Sequence, residues 1–489
     1  MVLPSRIDHP ARWFGVFALG QFLLWVIVPV LVFRNLPLDV VEGLAWGHGW
    51  PLGTYKHPPL QAWMLESAAI LGGRHDAAIY AVGAGCLVLT YWALWRLGRS
   101  LLMPSVALTA VLTLASCFYF ATTIPEFNPN VVQMPFYALC GWLFWRAYRY
   151  DLWRDWILFG VCAGLGMLGK YSFAVQLLAI GGFVVGDPAA RRLWRRPGPY
   201  GATAVGMLIF APHLVWLLQH DWLPLTYAQS RGHGGAGLWQ NMSDAAGFLA
   251  GQLAAITPVL ILHWLTRRRE TPLPHEDAVR RYLTWLAWGP VVLILLPGLW
   301  LSGLQRTMWG MALWPFIGLW AAERWQSEIV RSRLAQILLL GAIMAMPLAL
   351  TCGALLSVPF GFRPWRTEFP GRQLAVEAET FWREQGGRKP LPIVLGDAWF
   401  GGNIAWYGQD RPQLMIDGNV LYSPWVRPTD VALSGALAVW DPDGGGAQTP
   451  SWAIELGPVT AIKTVTLRYG KQDIRARFAI VMPAPVMRD

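Results

Sequence analysis

Two short stretches decide the fold class of this chain: Leu38-Asp39-Val40-Val41-Glu42 and Tyr55-Lys56-His57-Pro58-Pro59-Leu60. They place two acids, a lysine and a histidine between two apolar segments that are long enough to cross a membrane. Charges so close to hydrocarbon are costly and are usually retained because they have a function. The alternative is a solvated interfacial loop that is held at the surface by its aromatic side chains.

The composition around this loop is that of a polytopic membrane protein. Of the 489 residues, 55% are apolar and only 14% are charged, and 30 are tryptophans, which anchor helices at membrane surfaces. About 20 apolar residues span a bilayer as a helix. On that scale we predict a mainly α fold with about eleven transmembrane helices, near residues 12–33, 76–95, 101–121, 131–147, 155–169, 172–186, 199–218, 246–265, 282–301, 307–322 and 335–357.

The distribution of basic residues predicts the orientation. With a cytoplasmic N-terminus, the cytoplasmic segments hold nineteen arginines, whereas the outward connections between spans hold Arg34, Lys56, Arg74, Lys170, Arg231 and Arg306. Because basic residues accumulate in cytoplasmic loops, the loop from Asp39 to Leu60 and the C-terminal part are predicted to face outward. The net charge of +10 then reflects orientation and does not indicate nucleic-acid binding. All five cysteines lie in apolar segments, so no disulfide is expected.

The chain is predicted to divide into a membrane domain, residues 1–357, and a small soluble α/β domain, residues 358–489. Within the second domain, residues 371–386 and 399–407 have helical patterns. Strands are predicted at 391–395, 413–416, 436–440, 464–469 and 474–481, and the last two would form an antiparallel pair around Gly470.

The predicted topology narrows the chemistry of the first loop. Nucleotide sugars and ATP are cytoplasmic, so a group-transfer enzyme with an outward site needs a donor that is available there. A lipid-linked sugar phosphate meets this need, because its tail lies in the bilayer and its phosphate at the interface. Its phosphate is a good leaving group, so one carboxylate that accepts the proton of the acceptor hydroxyl, together with cations that hold the phosphate, suffices. Asp39 and Lys56 are the candidates for these two roles.

The loop resembles that of the GT-C glycosyltransferases, in the bacterial branch related to protein O-mannosyltransferases and to aminoarabinose transferases of lipid A. Members carry an acidic motif after the first span and a K/H-P-P-L turn, which correspond here to Asp39, Glu42 and the stretch 56–60. The longer sequence 38–63 is most similar to the rhizobial-type lipopolysaccharide galacturonosyltransferases. The resemblance implies an inverting transfer from a polyprenyl-phosphate sugar with Asp39 as the base. Many members have adjacent acids, whereas Val40 and Val41 separate them here.

Further site residues are predicted from the loop and from the outward connections. Lys56, His57, Lys170 and Arg306 are candidates for the donor phosphate, and Glu42, Tyr55, Glu126 and Arg231 for the sugar. Three of them have a structural alternative: Glu126 as an acid of a helix-capping loop, Lys170 as a snorkelling side chain, and Arg306 as an interfacial anchor. Glu42 is also a candidate ligand of a divalent cation, although its spacing to His48 and His57 matches no established ligand pattern.

The leading hypothesis is therefore an integral-membrane enzyme of the bacterial inner membrane with a periplasmic active site. It would transfer a sugar, with galacturonic acid as a candidate, from a polyprenyl phosphate to lipid A or the lipopolysaccharide core. A protein hydroxyl as the acceptor is the alternative. A lipid-sugar transporter or flippase is a third hypothesis, against which stands the absence of paired broken helices and of polar groups at mid-membrane in the sequence pattern.

Overall fold

A computed structural model describes residues 9–230, 237–266, 277–298, 307–325, 333–357, 364–385, 390–444, 446 and 448–483. The chain forms two compact units. The first unit comprises residues 1–28, 56–60 and 80–350, and the second comprises residues 29–55, 61–79 and 351–489. The second unit thus combines most of the first loop with the C-terminal part of the chain. The division into a membrane domain, residues 1–357, and a soluble domain, residues 358–489, stays a prediction.

The described part of the chain is mainly helical. In chain order its helices are α1 (Pro10–Val32), α2 (Leu38–Gly47), α3 (Leu60–Leu71), α4 (Asp76–Leu101), α5 (Pro104–Leu114), α6 (Pro129–Tyr150), α7 (Trp153–Gly169), α8 (Ala174–Gly186), α9 (Pro197–Gln219), α10 (Leu223–Ser230), α11 (Leu238–Ala255), α12 (Thr257–Thr266), α13 (Asp277–Gly298), α14 (Ile317–Trp325), α15 (Arg333–Ser357), α16 (Gly371–Glu384), α17 (Phe400–Tyr407), α18 (Pro428–Ser434) and α19 (Ser451–Glu455). Among them, α1, α4, α9, α13 and α15 are long and apolar enough to cross a membrane. The chain is a multi-pass membrane protein, and the number of eleven spans stays a prediction.

Several predicted spans differ from the helices that the structure contains. The segment 246–265 falls on α11 and α12, which meet at an angle of 65° and together could form a broken span. The segment 307–322 falls on a 3-10 turn, Thr307–Leu313, and on α14. In the segment 101–121, α5 ends at Leu114 and a short 3-10 turn follows. Hydropathy therefore located these segments but could not detect where the backbone bends.

In the first unit, buried acids near helix ends are paired with arginines. Both carboxylate oxygens of Asp155 accept hydrogen bonds from Arg146, at 3.2 and 3.3 Å. Asp187 lies 2.7 Å from an Arg281 guanidinium nitrogen, and Glu323 lies 2.8 Å from that of Arg324. A buried carboxylate is strongly destabilising without such a partner. These pairs therefore neutralise charge where the helices approach one another.

The second unit contains a mixed five-stranded sheet in the order β2-β1-β3-β5-β4. Its strands are β1 (Ile393–Gly396), β2 (Gln413–Ile416), β3 (Ala436–Trp440), β4 (Val459–Tyr469) and β5 (Gln472–Val481). β1 runs parallel to β2 and β3, whereas β5 runs antiparallel to β3 and β4. The β4–β5 turn uses Gly470 at φ +62°, a conformation that glycine adopts without steric cost. The predicted membrane fold with a small C-terminal α/β domain is confirmed.

The helices of the first loop belong to the same compact unit as this sheet. The Leu36 N–H donates a hydrogen bond to the Tyr407 hydroxyl at 2.8 Å, directly before α2 begins. Arg74, which follows α3, donates to the carbonyl oxygens of Trp406 and Gly408 at the end of α17. Glu66 of α3 is buried and forms an ion pair with Arg411. The C-terminal domain therefore holds both ends of the α2–α3 segment.

Candidate functional site

Helix α2 carries both acids of the first loop. It begins after Pro37, which is extended at φ −60° and ψ 160°, and Asp39 lies in its first turn. Because backbone N–H groups at a helix N-terminus carry partial positive charge, this position favours an ionised carboxylate. Glu42 follows one turn later, so the two acids share a face of the helix as their spacing predicted. Asp39 is half-buried and Glu42 is buried.

An aromatic cluster orients Glu42. The Tyr55 hydroxyl donates a hydrogen bond to Glu42 Oε1 at 3.2 Å. The Tyr55 ring stacks on Tyr422 with a centroid distance of 4.2 Å, and the edge of Trp46 contacts it at 6.0 Å. The predicted pair of Glu42 and Tyr55 is therefore brought together. Tyr422 was not predicted, because no local pattern indicates that a residue so far along the chain packs on Tyr55.

Two contacts fix the backbone of α2 around Asp39. The Gln61 side chain donates a hydrogen bond from Nε2 to the Asp39 carbonyl oxygen at 3.0 Å. On the other side, Val41 packs against α17 at Gly402, where an added Cβ would lie 2.7 Å from Val41 Cγ1. Both Gln61 and Val41 are buried. Helix α2 is thus positioned by α3 and by the C-terminal domain, neither of which was predicted for this role.

In the first unit, His57 lies close to two lysines. Its pKa is lowered to about 3, first by desolvation and then by the positive charges of Lys170 and Lys56. The Lys56 ammonium lies 5.6 Å from the centroid of the Tyr227 ring. His57 is therefore neutral at physiological pH, and it can contribute a hydrogen bond to an anion but not a charge. The predicted residues Lys56, His57 and Lys170 lie together.

Lys170 is held at the end of α7. Its ammonium donates a hydrogen bond to Asn130 Oδ1 at 2.6 Å and lies 5.3 Å from the centroid of the Trp309 ring. Asn130 lies in the first turn of α6, where Asn128 caps the helix by accepting a hydrogen bond from its N–H. Glu126 precedes this cap and is half-buried. Asn130 was not predicted, although the sequence Asn128-Pro129-Asn130 is a typical helix start.

A buried glutamine positions the segment that carries Trp309. Gln252 donates from Nε2 to the Thr307 carbonyl oxygen at 3.0 Å and accepts at Oε1 from the Trp314 indole at 3.2 Å. The Tyr119 hydroxyl donates to the same Thr307 oxygen at 2.7 Å. The segment from Thr307 to Trp314 is therefore fixed at both ends by Gln252. Arg306, which directly precedes it, lies outside the described residues, as does Arg231.

Two further polar residues, His213 and Asp397, have structural roles. His213 is buried in α9 and shares a hydrogen bond of 2.8 Å with the Tyr171 hydroxyl, as expected for a core histidine. Asp397 accepts hydrogen bonds from the N–H groups of Trp399 and Phe400, so the turn before α17 is a helix cap. Among the described residues, no group of three or more His, Cys, Asp and Glu side chains is placed to hold a metal ion.

Comparisons with known proteins agree with this architecture. The structure matches that of ArnT from Cupriavidus metallidurans bound to undecaprenyl phosphate, with a TM-score of 0.65 over 96% of this chain and 97% of that one, at 12% sequence identity. The family model for dolichyl-phosphate-mannose-protein mannosyltransferases matches residues 56–216. The chain is thus similar in fold to ArnT and, over about a third of its length, in sequence to the mannosyltransferase family. These matches support the resemblance to PMT/ArnT-like GT-C enzymes that the first loop indicated.

Curated members of the superfamily also match in sequence. A lipid A galacturonosyltransferase of Rhizobium johnstonii is 26% identical over 303 residues, which cover 58% of this chain and 59% of that protein. A lipopolysaccharide core galacturonosyltransferase of the same organism is 24% identical over 220 residues, 44% of this chain and 43% of that protein. The chain thus matches about half of the length of these GT-C relatives.

Proposed function

We propose that this chain is an integral-membrane glycosyltransferase that transfers a sugar from a polyprenyl phosphate to lipid A or the lipopolysaccharide core on the periplasmic side of the inner membrane. Galacturonic acid is the proposed sugar. The observation that carries the proposal is the grouping of Lys56 and Lys170 around the neutral His57, in a chain with the fold of ArnT. Two ammonium groups and an imidazole N–H suit a phosphate that is held at a membrane surface.

The proposed reaction requires few protein groups. The acceptor hydroxyl oxygen attacks the anomeric carbon of the sugar while the bond from that carbon to the phosphate oxygen breaks. Asp39 takes the proton of the acceptor hydroxyl, and the polyprenyl phosphate leaves with the bonding electron pair. Lys56 and Lys170 stabilise the charge that develops on the departing phosphate. Attack from the face opposite to the leaving group inverts the anomeric configuration.

Glu42 is proposed to contact the sugar rather than to act as the base. Its carboxylate accepts a hydrogen bond of 3.2 Å from the Tyr55 hydroxyl and is buried, so its orientation is fixed. Asp39 is the more accessible acid and lies at the helix N-terminus, which favours the ionised form that a base requires. Glu126 and Arg231 stay proposed sugar contacts, and Arg306 a proposed phosphate contact. No divalent cation is required by this scheme.

The first test is mass spectrometry of lipid A and core oligosaccharide from cells with and without this chain, combined with Asp39→Asn. The variant should fold and bind the donor, yet transfer should be lost in membranes supplied with donor. Asp76→Asn is the matched control, because Asp76 is also a first-turn acid but pairs with Arg372. Near-normal transfer by Asp39→Asn would exclude Asp39 as the base.

A protein acceptor is the second candidate, and the description of the matching family model favours it. The two acceptors are separated by comparing the mass of lipid A with the content of glycosylated proteins in the deletion strain. A change in lipid A or core mass, with glycoproteins unaltered, supports the lipid acceptor. The opposite pattern would assign the chain to protein O-glycosylation with the same type of donor.

A further inference from the structure

A basic pocket lies at one end of the first unit, among residues that the proposed reaction does not use. It has a volume of about 500 Å³ and is lined by residues at the start of α1, the end of α4 and the start of α5. The charged and titratable lining residues are His9, Arg12 and Arg99, and the lining includes no acid. Within the part of the chain that the structure describes, neither guanidinium has a carboxylate partner. The pocket is therefore suited to an anion.

The packing of α1 on α4 places this pocket at a membrane surface. Phe14 stacks on Trp95 with a centroid distance of 4.4 Å, and Phe17 contacts Tyr91 at 5.2 Å. The later residue of α1, Phe17, contacts the earlier residue of α4, Tyr91, so the two helices are antiparallel. Both are long enough to cross a bilayer. The beginning of α1 and the end of α4 consequently lie together at the level of lipid head groups, whichever side of the membrane they face.

The pocket wall holds one arginine in place. The Arg99 guanidinium carbon lies 4.9 Å from the centroid of the Trp95 ring, which also stacks on Phe14. Stacking on an aromatic ring orders the Arg99 side chain in advance, so it loses less rotamer entropy when it binds a ligand. The Trp95 indole N–H is buried and has no acceptor among the described residues.

An apolar stripe distinguishes a lipid from a free anion. Beyond the pocket, α1 exposes apolar side chains along one side of the helix, namely Val16, Leu19, Leu23, Ile27 and Leu31. Their spacing of three or four residues forms a continuous stripe along a membrane-length helix. Acyl chains can lie along such a stripe while the head group occupies the basic pocket.

We infer that the pocket formed by His9, Arg12, Trp95, Arg99 and Pro104 binds the phosphate of an anionic phospholipid. The two guanidiniums recognise the phosphate oxygens, and the stripe on α1 contacts the acyl chains. This site is separate from the groups proposed for transfer, and the inference does not depend on the identity of the donor or acceptor.

The test is native mass spectrometry of the purified full-length protein with phosphatidylglycerol added. The wild-type protein should retain phosphatidylglycerol in preference to phosphatidylcholine. Arg99→Gln and Arg12→Gln should each weaken this retention about tenfold, the effect of losing one charge-assisted hydrogen bond, whereas Arg99→Lys should keep part of it. Excess inorganic phosphate should not displace the lipid, because it cannot occupy the apolar stripe.

Arg149→Gln is the matched control. Arg149 lies near the end of α6 with its guanidinium 5.8 Å from the Trp145 ring, four residues earlier, but it does not line the pocket. The Arg149→Gln variant should retain phosphatidylglycerol as the wild-type protein does. The inference would be overturned if Arg99→Gln and Arg12→Gln retained as much lipid as Arg149→Gln. Displacement of the lipid by excess inorganic phosphate would likewise refute a lipid and assign a free anion.

Discussion

The contact between Val41 and Gly402 predicts that a single methyl group on α17 slows transfer by displacing Asp39. A Cβ at position 402 would lie 2.7 Å from Val41 Cγ1, whereas carbon atoms in contact are separated by about 3.5–4.0 Å. About 1 Å must therefore be relieved. Val41 is fully buried, and a β-branched side chain in a helix has one strongly preferred rotamer, so the side chain cannot simply turn away.

The expected loss of transfer rate follows from the displacement of α2, which carries Asp39. Overpacking of this kind costs about 1–3 kcal/mol. If α2 shifts by about 1 Å, Asp39 shifts with it, and such a misplacement lowers a reaction rate by about 100-fold. We expect Gly402→Ala to reduce kcat for transfer far more than it changes the KM for donor, because the lysines around His57 lie in the other compact unit.

The assay is transfer from a polyprenyl-phosphate sugar by purified protein, together with thermal unfolding of each variant. Val41→Ala with Gly402→Ala should recover most of the rate, since the shortened side chain has no γ-carbon to collide with the new methyl group. Gly401→Ala is the control, because its Cβ would meet Leu414 Cδ1 of β2 at 2.5 Å and not α2. A wild-type rate in Gly402→Ala, or a double variant as slow as the single one, would refute the reasoning.

Three further predictions concern other parts of the site and its support. Lys170→Gln should lower kcat for transfer about 100-fold, because the charge that develops on the departing phosphate loses one stabilising ammonium group, whereas Asn130→Ala, which keeps the charge, should have a smaller effect; steady-state kinetics measures both. Glu66→Gln should destabilise the protein by about 3 kcal/mol, because Arg411 loses its ion-pair partner. Adding Arg411→Met should restore most of the lost stability, as measured by thermal unfolding. Equal stability of Glu66→Gln and wild type would contradict this prediction. The pKa of His57 is about 3 in the folded protein, against an ordinary value of 6.5, so between these values the unfolded chain binds a proton that the folded protein does not. The folded protein should therefore lose stability as the pH decreases from 6.5 toward 3. His57→Gln should flatten that decrease of the melting temperature, and an unchanged profile would show that His57 is not the group responsible.

Part of the candidate site was predictable because it is local in sequence. Asp39 and Glu42 are three residues apart, which places them on one face of α2 once a helix forms there. Lys56 and His57 are adjacent and are followed by two prolines, which restrict the backbone of the turn. The partners of these residues were not predictable. Tyr422 packs on Tyr55, and Asn130 accepts a hydrogen bond from Lys170. Both partners come from distant segments, and no periodicity along the chain encodes these contacts.

The sequence by itself determined the mainly helical apolar character of the membrane part, the strands of the C-terminal sheet and the turn at Gly470, because apolar periodicity and glycine or proline chemistry act over a few residues. Only the tertiary structure decided that the first loop packs with the C-terminal domain, through Glu66 with Arg411 and Val41 with Gly402. It also decided that His57 is buried near Lys170 and Lys56, and that burial first, and the lysine charges second, lower its pKa and keep it neutral. The physical reason is that burial and charge proximity depend on segments more than 100 residues apart, whose packing is fixed only when the whole fold has formed.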